Sequence, residues 1–203
     1  MANLLHISVS ARGAASHSRQ TGQQLVERLC AARPELSVVR RDLGSDPLPY
    51  PSQAFVTAAL MPADTRGAAE EAVLALSETV IGELEAADLV VIDTPMHNFT
   101  VPAALKAWID HVVRIRRTFG VTPQGKVGFL EDRPVYVVVA CGGMFDGPGG
   151  QSDFLTPYLS YVLGSIGLKS VEVLRLELLT RGAEPLARAQ AKAAAWIEER
   201  VAV

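Results

Sequence analysis

Three short stretches carry residues that could hold a ligand by chemistry rather than by packing. The first runs from Ser8 to Arg19 and places hydroxyls at Ser10, Ser16 and Ser18, with His17 between the last two. Serine hydroxyls, free backbone N–H groups and the positive end of a helix dipole together suit a phosphate monoester. Each hydrogen bond to a charged phosphate contributes roughly 1.5–3 kcal/mol. The same serines also serve as helix N-caps, the commoner use of serine in that position. The second stretch is Pro95, Met96, His97, Asn98 and Phe99, a loop between an apolar β-branched run and Pro102. Its residues suit the edge of a flat, polar-rimmed ring. The third begins Ala140, Cys141, Gly142, Gly143, and residues 141–150 hold five glycines. Glycine lets backbone approach a ligand closely.

Other chemistry fits less well. There is no G-x-x-x-x-G-K-[ST], which argues against a Walker-type nucleotide triphosphatase. No G-x-G-x-x-G follows the first strand, which argues against the usual dinucleotide fingerprint. A catalytic thiol needs a base or a depressed pKa; nothing near Cys141 in sequence supplies either, so a small apolar residue ending a strand is the better reading. His97, His111 and Cys141 match no common metal-ligand spacing, and no metal is expected. His111 and Trp108 read as packing residues on a helix. Asp110, Arg114 and Arg117 read as the solvated or subunit-facing edge of that same helix.

These loops need elements to position them. Leu4 to Val9, Ser37 to Asp42, Leu89 to Ile92, Val135 to Ala140 and Val171 to Leu176 read as five strands. Helical patterns fill the intervals at 18–32, 66–87, 102–112, 154–166 and 183–201. In the 66–87 helix, Ala69, Val73, Leu76, Val80 and Leu84 mark the expected inner face. Residues 44–62, with Pro47, Pro49, Pro51 and Pro62, read as a long irregular excursion, a type of loop that tends to be functional. Alternating strands and helices predict a doubly wound α/β fold: a flavodoxin-like five-stranded parallel sheet, order 2-1-3-4-5, with helices on both faces. The loops after strands one, three and four then line one crevice at the carboxyl edge.

Composition narrows the class. The 203 residues fit one domain, 1–203, with a real core. Hydrophobic residues make up 49% and charged residues 20%, the balance of a globular chain. A net charge of −3 gives no electrostatic case for nucleic acid. Two cysteines imply no disulfide framework and fit a reducing, cytoplasmic setting. No apolar run is long enough to span a membrane, and no signal peptide is expected.

At the three loops the chain resembles the FMN-dependent NADH:quinone oxidoreductases, also called azoreductases. Ser10 with Ser16, His17 and Ser18, then Pro95 to Phe99, then Gly142 and Gly143 carry the likeness. Arg41 to Leu43 with Pro47 to Pro49, Thr118 and Phe119, and Leu155 to Ser160 with Gly164 and Gly167 extend it in order along nearly the whole chain. The resemblance implies that Ser10 and Ser16 to Ser18 hold the FMN phosphate. It implies that Pro95 to Phe99 follow the isoalloxazine edge and that Ala140 to Gly143 close over the other side. It further implies NADH or NADPH as donor, a quinone or azo acceptor and a homodimer. Asn98 is the candidate ring-edge hydrogen bonder, and His97 a candidate proton donor. His97 stands where a tyrosine is common, Cys141 where a polar or basic residue is frequent, and Val121 where an aromatic follows Thr-Phe. Two rival readings have their own signatures. A flavodoxin-type electron carrier serving a protein partner is usually far more acidic than −3. A phosphoacceptor receiver needs acidic residues at the end of the first strand, where Ser8 and Ser10 stand.

Overall fold

A computed structural model describes residues 2–201. Seven strands and six α-helices follow in order: β1 (Asn3–Ser8), α1 (His17–Ala32), β2 (Ser37–Asp42), α2 (Gln53–Leu60), α3 (Ala68–Ala86), β3 (Leu89–Pro95), α4 (Ala103–Val112), β4 (Phe119–Thr122), β5 (Gly125–Gly128), β6 (Val135–Ala140), α5 (Thr156–Ile166), β7 (Val171–Leu176) and α6 (Ala183–Val201). Five strands form a parallel sheet ordered β2-β1-β3-β6-β7. This is the expected 2-1-3-4-5 topology. It follows from the near-continuous apolar runs of β3 and β6, which suit strands covered on both faces.

The sheet residues alternate between two cores. Leu5, Ile7, Val90, Ile92, Val137 and Val139 meet α3, α4 and α5, with Trp108 fully buried among them. Leu4, Leu89, Val91 and Tyr136 meet α1 and the end of α6. The strand order reverses between β1 and β3, so the connections leaving their carboxyl ends run to opposite sides and open a crevice.

The structure corrects four local expectations. The 44–62 excursion is not irregular throughout: it contains α2, whose N-cap Ser52 accepts a hydrogen bond from Phe55 N–H at 3.1 Å. Three prolines just upstream disguise so short a helix. In α3 the inner face is Leu74, Ser77, Val80, Ile81 and Leu84, while Ala69 and Val73 face solvent. The apolar residues chosen from sequence lay on two adjacent stripes, and only the packing selects between them. The hairpin β4–β5 has no long apolar run to announce it. Finally, α4 ends at Val112, and Arg114 beyond it is buried rather than a solvated edge. Its guanidinium donates to Ser77 Oγ at 2.9 Å and Glu78 Oε1 at 2.7 Å, pinning the segment after α4 to α3.

Candidate functional site

The cleft is built from the ends of four strands. After β1, a short 3₁₀ turn at Gly13–Ala15 leads into Ser16, the N-cap of α1. The Ser16 hydroxyl lies 3.4 Å from Arg19 N–H and 3.1 Å from Ser18 Oγ. Capping at 3.4 Å is weak. Both serines and Ser10 are nevertheless buried, so their hydroxyls are held at the helix N-terminus without being consumed by it. Arg19 fixes the loop from behind. It donates to the Ser10 carbonyl at 2.9 Å and grips Asp42 on β2 with both terminal nitrogens. That grip holds the Asp42 carboxyl well below the usual carboxylate range.

After β3 the chain makes a tight turn. His97 and Thr100 exchange backbone hydrogen bonds, each at 3.0 Å, and Asn98 and Phe99 adopt positive φ of 47° and 71°. This is the geometry of a type I′ turn. Positive φ is rare for a bulky residue such as Phe and marks a constrained, often functional position. Met96 N–H is spent on the Ala140 carbonyl at 2.8 Å, and His97 N–H on Thr100. The N–H groups of Asn98 and Phe99 have no partner among the described residues. Of the backbone donors of Met96 to Phe99, these two alone are left open among the described residues.

After β6, Cys141 is buried, and its Sγ donates to the Gly143 carbonyl at 3.3 Å. Burial pushes the thiol up to about 11, aided by the negative charges of Glu177 and Asp153. A thiol so placed stays protonated at neutral pH and is no nucleophile. A Cβ on Gly142 would press on Thr180, and one on Gly143 would meet the Gln151 amide. Glycine at both positions lets the turn sit close against these side chains.

Together Ser10, Ser16, His17, Pro95, Met96, His97, Ala140, Cys141 and Gly142 line one cleft of about 310 Å³. Ser18 lies buried behind Ser16, while Asn98, Phe99 and Gly143 lie in the flanking loops without lining the cleft. Arg12, Leu179 and Thr180 also line it. Arg12 sits within the serine stretch and brings a guanidinium to the cleft. Leu179 and Thr180 carry no local signal. They arrive because Leu178 and Leu179 N–H bond the carbonyls of Gly143 and Cys141, folding the loop after β7 over the glycine turn. A second cavity of about 520 Å³ shares His97 and is walled by Leu43, Pro47, Leu48, Pro49 and Tyr50. The 44–62 excursion thus borders the site.

The residues present fit a flavin mononucleotide. Buried serine hydroxyls stand at a helix N-terminus, two unclaimed N–H groups stand in the turn that flanks the cleft, and the glycine turn after β6 forms a further wall. The fold and the cleft place the protein in the flavodoxin-like class. The model of that fold family matches residues 2–201. Within the class, the chain belongs to the FMN-dependent NADH:quinone oxidoreductase family. It is 58% identical over 197 residues, 97% of this chain and 96% of the other, to FMN-dependent NADH:quinone oxidoreductase 2 of Cupriavidus pinatubonensis. It is 47% identical over 91% of its length to FMN-dependent NADH:quinone oxidoreductase 4 of Pseudomonas fluorescens, covering 88% of that protein. An azoreductase crystal structure from Bacillus anthracis aligns with a TM-score of 0.85 at 25% identity, covering 99% of this chain and 97% of that one.

Proposed function

We propose that the chain is an FMN-dependent oxidoreductase that passes two electrons from NADH, or NADPH, to quinones and azo compounds. The observation that carries this reading is the convergence of the serine loop, the Pro95–Phe99 turn and the glycine turn on one cleft. Relatives named for FMN, NADH and quinone add support. Ser10, Ser16 and Ser18 hold the phosphate with the N-terminus of α1, while His17 and Arg12 border it. FMN, when bound, supplies the redox chemistry, accepting an electron pair from the nicotinamide and releasing it to the acceptor. The chain's own contribution is electrostatic and geometric. Asn98 and Phe99 N–H groups, on a rigid turn, stabilise negative charge at the ring edge. The Asn98 side chain binds that edge, and His97, exposed between the two cavities, holds or delivers a proton. Cys141 packs behind the ring. The protein works as one cytoplasmic domain, as a homodimer.

Donor and acceptor use the same open face in turn, so steady-state kinetics with NADH and a benzoquinone give parallel double-reciprocal lines. In the absence of oxygen, NADH alone bleaches the absorbance of the FMN-reconstituted protein. If neither NADH nor NADPH does so at a useful rate, the enzyme reading is wrong and an electron carrier takes its place.

A further inference from the structure

The cleft differs from the rest of the molecule in charge. The chain carries a net −3, yet no carboxylate stands among the residues that line the cleft, and their one permanent charge is Arg12. Among the described residues no acceptor meets the Arg12 guanidinium. The other arginines around the β1–β2 edge are committed. Arg19 holds Asp42 and the Ser10 carbonyl. Arg40 donates to Gln23 Oε1 at 2.8 Å and lies 2.9 Å from His6 Nδ1, and Arg41 pairs with Glu83.

The loop that presents the serines also places Arg12. Its backbone N–H donates to Ser10 Oγ at 3.3 Å, and Ser10 is 3% exposed. A hydroxyl that accepts a hydrogen bond keeps its own proton to donate. Ser10 therefore brings to the cleft an O–H that no described residue accepts. Gly13, at φ 53°, then turns the chain back towards Ser16. Helix α1 has no acidic residue in its first turn, where a carboxylate often answers the helix dipole. The N–H groups of His17 and Ser18 have no partner among the described residues. The place of the phosphate is thus furnished with neutral donors, and the charge of a dianion is left to Arg12. The serines are buried and Arg12 is exposed, so the guanidinium stands at the mouth and the hydroxyls stand deeper.

We propose that Arg12 is the countercharge of the flavin phosphate and sets how far the site prefers FMN to riboflavin. The inference rests on the FMN reading above. A planar guanidinium offers forked donors that match phosphate oxygens, and a charge-assisted bond of this kind is stronger than one from a hydroxyl. The serines orient the phosphate; Arg12 neutralises it. Its exposure keeps the contribution open to screening by salt.

The test is titration of apoprotein with FMN and with riboflavin at about pH 8, where the phosphate, whose second ionisation lies near pH 6, is a dianion. At low salt Arg12→Gln weakens FMN binding about tenfold and leaves riboflavin binding unchanged. High salt narrows the gap between wild type and variant. Arg12→Lys, a charge without the fork, recovers part of the loss. Arg181→Gln removes an arginine beside Thr180 that does not line the cleft, and it leaves FMN affinity unchanged. An equal loss in Arg181→Gln traces the effect to general charge and overturns the proposal. Equal weakening of FMN and riboflavin by Arg12→Gln also overturns it, since Arg12 then only shapes the loop. So does unchanged FMN affinity in Arg12→Gln with a raised KM for NADH, which moves the guanidinium to the donor and leaves the FMN reading standing. Failure of wild type to bind FMN at all removes both.

Discussion

Ser16 and Ser18 show how one residue type can serve structure weakly and a ligand strongly. The cap contact from Ser16 to Arg19 N–H is 3.4 Å, and the two hydroxyls face each other at 3.1 Å. Removing both should therefore leave the fold intact, at a cost below the ~1 kcal/mol typical of a good cap. Replacing both with alanine should weaken FMN binding by about 2–4 kcal/mol, since two hydrogen bonds to a charged phosphate are lost and water replaces them in part. Titration of apoprotein with FMN measures this, and unchanged affinity would mean that the hydroxyls are caps only. Cys141 illustrates the reverse. A cysteine beside a cleft invites a catalytic role, yet its burial and its donation to Gly143 leave it a protonated packing group.

At the scale of elements, arginines hold the scaffold of the site together. Arg19 ties α1 to Asp42 on β2, and Arg114 and Arg117 tie the segment after α4 to Glu78 and Glu85 of α3. Arg19 holds the Asp42 carboxyl below its ordinary range. At Glu78 partial burial works the other way, but Arg117 and Arg114 outweigh it; at Glu85, Arg117 lowers the carboxyl directly. A carboxyl depressed in the folded state contributes stability that is full above its unfolded pKa of about 4 and is lost as pH falls through the folded value. Urea midpoints should thus be flat from about pH 7 to 5 and fall below about 4.5. Asp42→Asn should lower the plateau and shallow the acid decline. An unchanged acid limb would show that the Arg19 pair adds nothing to stability. These three carboxylates are partly exposed, so each contribution is screened and modest.

At the scale of the whole molecule, the surface near the cleft is apolar. Phe99 and Phe154 are 51% and 60% exposed, and Phe154 N–H bonds the Phe99 carbonyl at 3.2 Å. Tyr50, in the wall of the second cavity, is exposed as well; away from the cleft, Val121 and Val127 of the β4–β5 hairpin and Phe129 just after it are also exposed. Side chains of this kind at a site's rim suit burial against a second copy. Light scattering of the flavin-loaded protein should give about twice the chain mass of 21.7 kDa, and a single-chain mass would overturn the homodimer. Among the described residues no helix is long and apolar enough to cross a membrane.

The strands and the sheet order were legible from the residues themselves. β3 and β6 are legible as continuous apolar, β-branched runs because they are covered on both faces, while β2 and β7 stand at the expected Ser37–Asp42 and Val171–Leu176 as mixed edge strands, and right-handed crossovers leave few ways to order the five. The loops after β1, β3 and β6 were legible for the same reason, since the strand order puts them at one crevice. What the sequence left open depended on contacts between distant segments. Arg114 reads as a surface residue until Ser77 and Glu78 of α3 close around it. Leu179 and Thr180 join the cleft only because backbone bonds to Cys141 and Gly143 fold the last loop inward. His6, Ser8 and Asp93 are unremarkable in their own strands. They become one buried cluster because the parallel register sets Ser8 beside Asp93, and because Gly22 lets α1 settle onto the Asp93 side chain. Local pattern determines which residues form an element and which face it buries. The partners of a buried polar group are set by packing, through distances that no local pattern encodes.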